Sequence, residues 1–140
     1  MRKTAPSRAT RWERIGPQVL QRVIFETEQV RFVLYRVAAG FHNTLHAHDY
    51  AQMGVVISGR GTHRTVLAIA RAGRVRQEVQ ELPVRDGDCF YVPPQAPHEL
   101  AVDGGRPMVL LEVTLPSPRP GHGSGHAAAS PTRRGAKGGR

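Results

Sequence analysis

Two histidines one residue apart, His46 and His48, a glutamine four residues on, Gln52, and a third histidine much later, His98, are the residues of this 140-residue chain with the most to do chemically. Side chains two apart on a β-strand share a face, so His46 and His48 can enter one cavity and offer imidazole nitrogens to a single ion. His98 has to come from a distant strand, which a closed antiparallel barrel arranges. Gln52 follows a turn at Asp49-Tyr50, so strand parity does not place it. Nitrogen-rich ligation suits a transition metal better than magnesium or calcium.

The elements that must position these residues read as strands. Val19 to Thr27 alternates as a first strand, and Gln29 to Ala38, with Phe32, Leu34 and Tyr35 among β-branched valines, as a second. A third leads into the paired histidines, and Met53 to Ser58 reads as a buried strand ending at Gly59. Thr62 to Ala70 and Val75 to Leu82 form a long hairpin turned by Ala72-Gly73. Asp86-Gly87-Asp88 is a tight turn before Cys89 to Val92, and Met108 to Leu115 is the last strand. With no helical period anywhere, about eight strands predict an all-β fold, a single barrel or jelly roll.

Two stretches carry a family resemblance. The first is Gly40-Phe-His-Asn-Thr-Leu-His46-Ala-His48-Asp-Tyr-Ala-Gln52 followed by Gly59; the second is Gly87-Asp-Cys-Phe-Tyr-Val-Pro93-Pro-Gln-Ala-Pro-His98. They resemble the two signatures of the cupin superfamily, a glycine, His-x-His, an acid and a closing glycine, then a glycine, a proline and a histidine. The resemblance implies a double-stranded β-helix, with His46, His48 and His98 as metal ligands, Gln52 as the fourth, and one divalent transition metal, iron, zinc, nickel or manganese. The sequence departs from the pattern where Gln52 replaces the usual glutamate, Gln95 a glycine and Val102 an asparagine. An amide carbonyl offers no charge, so three neutral imidazoles and Gln52 leave an ion uncompensated and hold it more weakly than a glutamate-bearing set.

Charge divides the chain in three. Residues 1–16 carry a net +4 and residues 116–140 a net +5, the whole formal charge of +9, which leaves residues 17–115 with ten charges of each sign. A basic leader over 1–16, a barrel over 17–115 and a disordered Gly/Pro/Arg-rich tail over 116–140 are expected, since the tail's composition buries too little apolar surface to offset its ordering entropy. The high pI belongs to the flanks and does not mark a folded nucleic-acid surface. One cysteine excludes an intrachain disulfide framework, no apolar run spans a bilayer, and the N-terminus has no apolar signal core, so a cytoplasmic protein is expected.

Among the remaining residues, Tyr50, Phe90 and Tyr91 are candidates to line a ligand cavity. His42, which shares parity with His46, is expected at the rim with no role rather than at the cavity mouth, His63 as an ordinary strand residue, and Cys89 as a buried structural thiol. Asp49 and Glu99 adjoin ligand histidines, but adjacent strand residues face opposite sides, so neither serves as a general base. Within the cupins, His46 to Met53 and Val92 to Leu100 look most like the ligand-binding and dimerisation domain of AraC-type transcription regulators. That implies a sensory barrel for a small effector, a homodimer, and, since residues past 115 form no helix-turn-helix pair, a separate DNA-binding partner chain with no sequence-specific DNA contact of its own. The alternative is a metal-dependent enzyme, a dioxygenase, isomerase or lyase, acting on a small organic acid or sugar derivative.

Overall fold

In a computed structural model, which describes residues 11–116, the chain runs through β1 (Glu13–Gly16), β2 (Val19–Glu26), β3 (Arg31–Val37), β4 (Ala51–Ser58), β5 (Arg60–Arg71), β6 (Arg74–Arg85), β7 (Cys89–Val92), β8 (His98–Val102) and β9 (Met108–Leu115). The described residues contain no helix. Strands β1-β2-β3-β9-β4-β7 form one antiparallel sheet and β6-β5-β8 a second. Their inner faces enclose the core, the jelly-roll arrangement expected from the sequence.

The long hairpin closes where the sequence puts it. Arg71 pairs with Arg74 across a two-residue turn in which Ala72 has φ 49° and Gly73 φ 71°, the double left-handed geometry that matches strand twist in two-residue hairpins. Gly59 joins β4 to β5 at φ 109°, and its N–H donates to Asp86 Oδ1 at 2.7 Å. A Cβ there would lie 2.7 Å from Met108 Cα, so only glycine permits the approach.

Four sequence expectations change. The first sheet begins at β1, inside the stretch read as a basic leader, with Glu13 opposite Gln21. Residues 1–10 and the tail from 117 lie outside the described residues. No third strand leads into the histidines. The chain from 38 to 50 runs beside β8 through single bridges, His42 to Ala101 and His46 to His98. Between them the Asn43 side chain takes a ladder position, its Oδ1 accepting from Leu100 N–H at 2.7 Å while the Asn43 backbone N–H donates to Leu100 O at 3.2 Å, the substitution of side chain for backbone that Asn favours. Strand β4 is not buried on both faces, since Met53 and Ile57 are 41% and 52% exposed. Cys89 is exposed rather than a buried thiol, because Phe90 and Val92 take the inward positions of β7.

The interior is graded along the barrel axis. At one end Val37, Met108, Leu110 and Val56 meet across β3, β9 and β4, with Val102 and Leu100 of β8 in the same core. Two residues further along each strand the inner face turns polar: Glu112 lies between Val33 and Gly54, and Thr114 between Arg31 and Gln52. On the opposite sheet, Leu100 gives way to His98 paired with Thr65. The apolar end supplies the hydrophobic stabilisation. The polar end holds the chemistry.

Candidate metal centre

His46, His48 and His98 converge at that polar end. One ligand nitrogen from each lies within 4.8 Å of the other two, and their ring centroids are 4.8, 4.4 and 5.2 Å apart. Backbone bonds set the arrangement: His46 N–H donates to His98 O at 3.1 Å and His98 N–H to His46 O at 2.8 Å, while Gln95 N–H donates to His48 O at 2.6 Å. Gln95, with φ 67°, occupies a turn position that suits glycine, the residue expected there.

The ring orientations fit a metal. His46 Nδ1 donates to Thr44 O at 2.7 Å and His98 Nδ1 to Ala96 O at 2.9 Å. A carbonyl only accepts, so each Nδ1 carries its proton and each Nε2 keeps its lone pair for a ligand. A backbone acceptor behind each imidazole is how metal-binding histidines are usually oriented. Nitrogens around one ion at about 2.1 Å stand about 3.4 Å from each other in tetrahedral geometry, within the 4.8 Å that bounds the three ligand atoms here.

Gln52 is 2% exposed on the inner face of β4, and its Oε1 has no hydrogen-bond partner. A buried carbonyl left without a donor costs about 1–3 kcal/mol; a metal or a ligand donor would recover it. Among the cavity candidates, Tyr50 is buried and its ring stacks on His48, 4.5 Å between centroids at 8°. Burial above all, then the negative charges of Glu112 and Asp49, push the Tyr50 hydroxyl well above its ordinary pKa, with Arg31 opposing. Phe90 is buried and stacks on His63 at 4.0 Å. Tyr91 does not line the interior: it is 57% exposed, placed outward by the alternation that turns Phe90 and Val92 in.

Two interior residues escaped the sequence reading. His63 is 2% exposed, accepts or donates at Nδ1 to Thr65 Oγ1 at 3.2 Å, and lies 6.1 Å from His98 between ring centroids. Glu112 is 3% exposed, an acid inside the barrel. Its signal was parity: positions 108, 110 and 112 of one strand share a face, and Met108 and Leu110 are core. Asp49 and Glu99 face away as expected. Glu99 pairs with Arg64 at 2.8 Å on the outer surface, and His42 Nε2 lies 3.3 Å from the same carboxylate.

A two-sheet antiparallel barrel with three histidines close enough at its polar end to hold one metal ion is the architecture seen here. The chain belongs to the cupin family: the family profile described as "Cupin domain" matches residues 33–114. Solved structures show the same fold. The structure of KdgF from Halomonas sp. superposes with a TM-score of 0.60 at 19% identity, over 78% of this chain and 90% of that one. An RmlC-like cupin from Shewanella frigidimarina gives 0.61 at 20% identity, over 84% and 93%. A 7S globulin of Momordica charantia gives 0.63 at 16% identity, over 79% of this chain and 33% of the globulin. No curated protein matches the chain.

Proposed function

We propose that this cupin is a small-molecule-binding barrel that uses His46, His48 and His98, with Gln52 as a fourth donor, to hold one divalent transition metal, iron, zinc, nickel or manganese, beside its ligand. The observation that carries the reading is the convergence of three imidazoles within 4.8 Å, two of them oriented by backbone carbonyls. When bound, such an ion supplies Lewis acidity toward a ligand oxygen. The chain's own residues orient the imidazoles, exclude water through Phe90 and Val92, and keep the Tyr50 hydroxyl protonated.

The sequence around the histidines supports an effector-sensing role of AraC type, in the cytoplasm, with a separate DNA-binding chain as partner. Ligand binding would act by its differential affinity for two packing states of the assembly. A second reading, a metal-dependent cupin enzyme acting on a small organic acid or sugar derivative, is favoured by Glu112, a buried carboxylate whose charge reaches Tyr50. It supplies the proton acceptor that neither Asp49 nor Glu99 can provide.

The test is elemental analysis of protein purified without a metal-affinity tag, then titration with zinc and ferrous iron. One ion per chain, lost in His46→Ala and in His98→Ala, is expected. Equal uptake by the wild type and both variants would overturn the metal reading. A thermal-shift screen of sugars and organic acids on loaded protein then separates the roles by linkage. A stabilising compound left unchanged over hours marks a sensor, and one converted by the wild type but only bound by Glu112→Gln marks an enzyme.

A further inference from the structure

One register row of the larger sheet carries an unpaired polar atom on each of three strands. Arg31 on β3 stands opposite Thr114 on β9, and Thr114 opposite Gln52 on β4. Arg31 Nε, Thr114 Oγ1 and Gln52 Oε1 are all buried, with no hydrogen-bond partner among the described residues. Gln52 and Thr114 are 2% and 5% exposed. Buried polar groups are almost always hydrogen-bonded, so three unpaired ones in a row define the chemistry of what fits against them.

We propose that the Arg31 and Thr114 end of this row is a carboxylate anchor, and that the barrel's ligand is a small monoanionic hydroxy or keto acid. Its carboxylate sits on Arg31 and Thr114, and its second oxygen lies beside Gln52 and the imidazoles. The inference rests on the metal-binding reading above and adds the sign of the ligand's charge and the residues that select it. Donor chemistry is the first support. A guanidinium only donates and a hydroxyl can donate, which suits a carboxylate, whereas the Gln52 carbonyl only accepts and suits a metal or a hydroxyl. Strands about 4.8 Å apart put the Arg31 and Gln52 backbones about 10 Å apart. With both side chains reaching inward, that leaves room for two oxygen groups separated by a few carbons.

Charge is the second support. A divalent ion on three imidazoles and Gln52 keeps its full charge, because none of these ligands is an anion. The charged side chains facing this end are Arg31, Glu112 and Glu26, since Asp49 faces away. Glu112 is 3% exposed, and the charges of Glu112 and Arg31 act on Tyr50 in opposite directions. Glu26 stands opposite Arg31 at the end of β2, its Oε1 3.6 Å from Arg31 Nε, beyond hydrogen-bond length, and its side chain is 52% exposed. Arg31 and Glu26 offset each other and Glu112 offsets half of the ion, which leaves one positive charge for a monoanion to neutralise. A ligand carboxylate would repeat, at hydrogen-bond range, the pairing that Glu26 makes loosely from the rim.

Calorimetric titration of the zinc-loaded full chain with glycolate, lactate and levulinate, each beside its neutral primary amide, tests the anchor. At least one acid should bind about tenfold or more tighter than its amide. Arg31→Gln should erase that preference while zinc uptake and affinity for the amides stay as in the wild type. Glu26→Gln, at a half-exposed position, removes the competing carboxylate and should tighten the acid alone, a result that decides the matter even where Arg31→Gln loses its β circular dichroism. Acids and amides that bind alike, no binding by any of the acids, a preference that survives Arg31→Gln, or an unchanged acid affinity in Glu26→Gln would overturn the proposal. Zinc uptake, measured first, keeps the two readings apart: a chain that takes up no zinc overturns the metal reading and the charge argument with it, while a loaded chain that binds acids without selectivity overturns the anchor alone.

Discussion

Tyr50 is the residue at which the polar end of the barrel can be probed by pH. Its hydroxyl is held protonated by burial first and by Glu112 second. In the unfolded chain it ionises near 10, so above that pH the unfolded state has lost a proton the folded state keeps, and stability falls as pH rises. Urea unfolding at pH 9 and pH 11 should show a steeper loss for the wild type than for Tyr50→Phe, with the two converging below pH 9. Glu112→Gln should lower the Tyr50 pKa while leaving it above 10, because burial is the larger cause; a Tyr50 that titrates normally in that variant would make charge the controlling effect. Glu112 was legible only in retrospect. An acid in parity with Met108 and Leu110 has to be inside if they are, but the strand Met-Val-Leu-Leu-Glu-Val-Thr-Leu is apolar at nearly every position, so the sequence alone does not say which parity faces in.

That ambiguity recurs at the scale of elements. Strand β7, Cys-Phe-Tyr-Val, is apolar on both faces, and the reading of Cys89 as buried and Tyr91 as a cavity residue failed for one reason: the sheet's outer surface is apolar too. Where a strand has one wet face the alternation is plain, as in β5, whose exposed Arg64 lies between inward His63 and Thr65, although the sequence reading took His63 only as an ordinary strand residue. The hairpin turn was legible because Ala72-Gly73 sits midway between two alternating runs. Ala72 is the weaker half of that turn, since an L-residue in the left-handed region costs about 1–2 kcal/mol that glycine or asparagine largely escapes. Ala72→Gly or Ala72→Asn should raise the unfolding free energy by about 0.5–1 kcal/mol in chemical denaturation, with metal uptake unchanged because the turn lies at the far end of the long hairpin. The loop carrying His46 and His48 was misread as a strand because its histidines do share a face; a side-chain bond from Asn43, which alternation cannot reveal, takes the place of a ladder.

For the whole molecule, charge and fold are separate matters. Because residues 17–115 are neutral, any affinity for polyanions belongs to the flanks and should be salt-sensitive. Heparin should retain the full chain at low salt, and a chain lacking residues 1–10 and 118–140 should pass through unretained; retention of the shortened chain would point instead to Arg14, Arg22 and Arg36 on β1, β2 and β3. The membership of the cupin family was readable from two short strings because glycines, prolines and histidines at turns are fixed by geometry. Ligand identity was not, because the residues at the polar end of the interior, Glu112, Thr114, Arg31 and Phe90, lie on three different strands and come together only through register.

The reciprocal main-chain link between residues 46 and 98 has a consequence for how an ion is acquired. Two of the three imidazoles are tied to each other through amide and carbonyl groups, so their spacing does not depend on a guest. The empty barrel should then resemble a lock already cut: a chelator would strip the site without melting the protein, hydrogen exchange at the 46 and 98 amides would stay slow in the stripped form, and recharging would be limited by diffusion of the cation rather than by refolding.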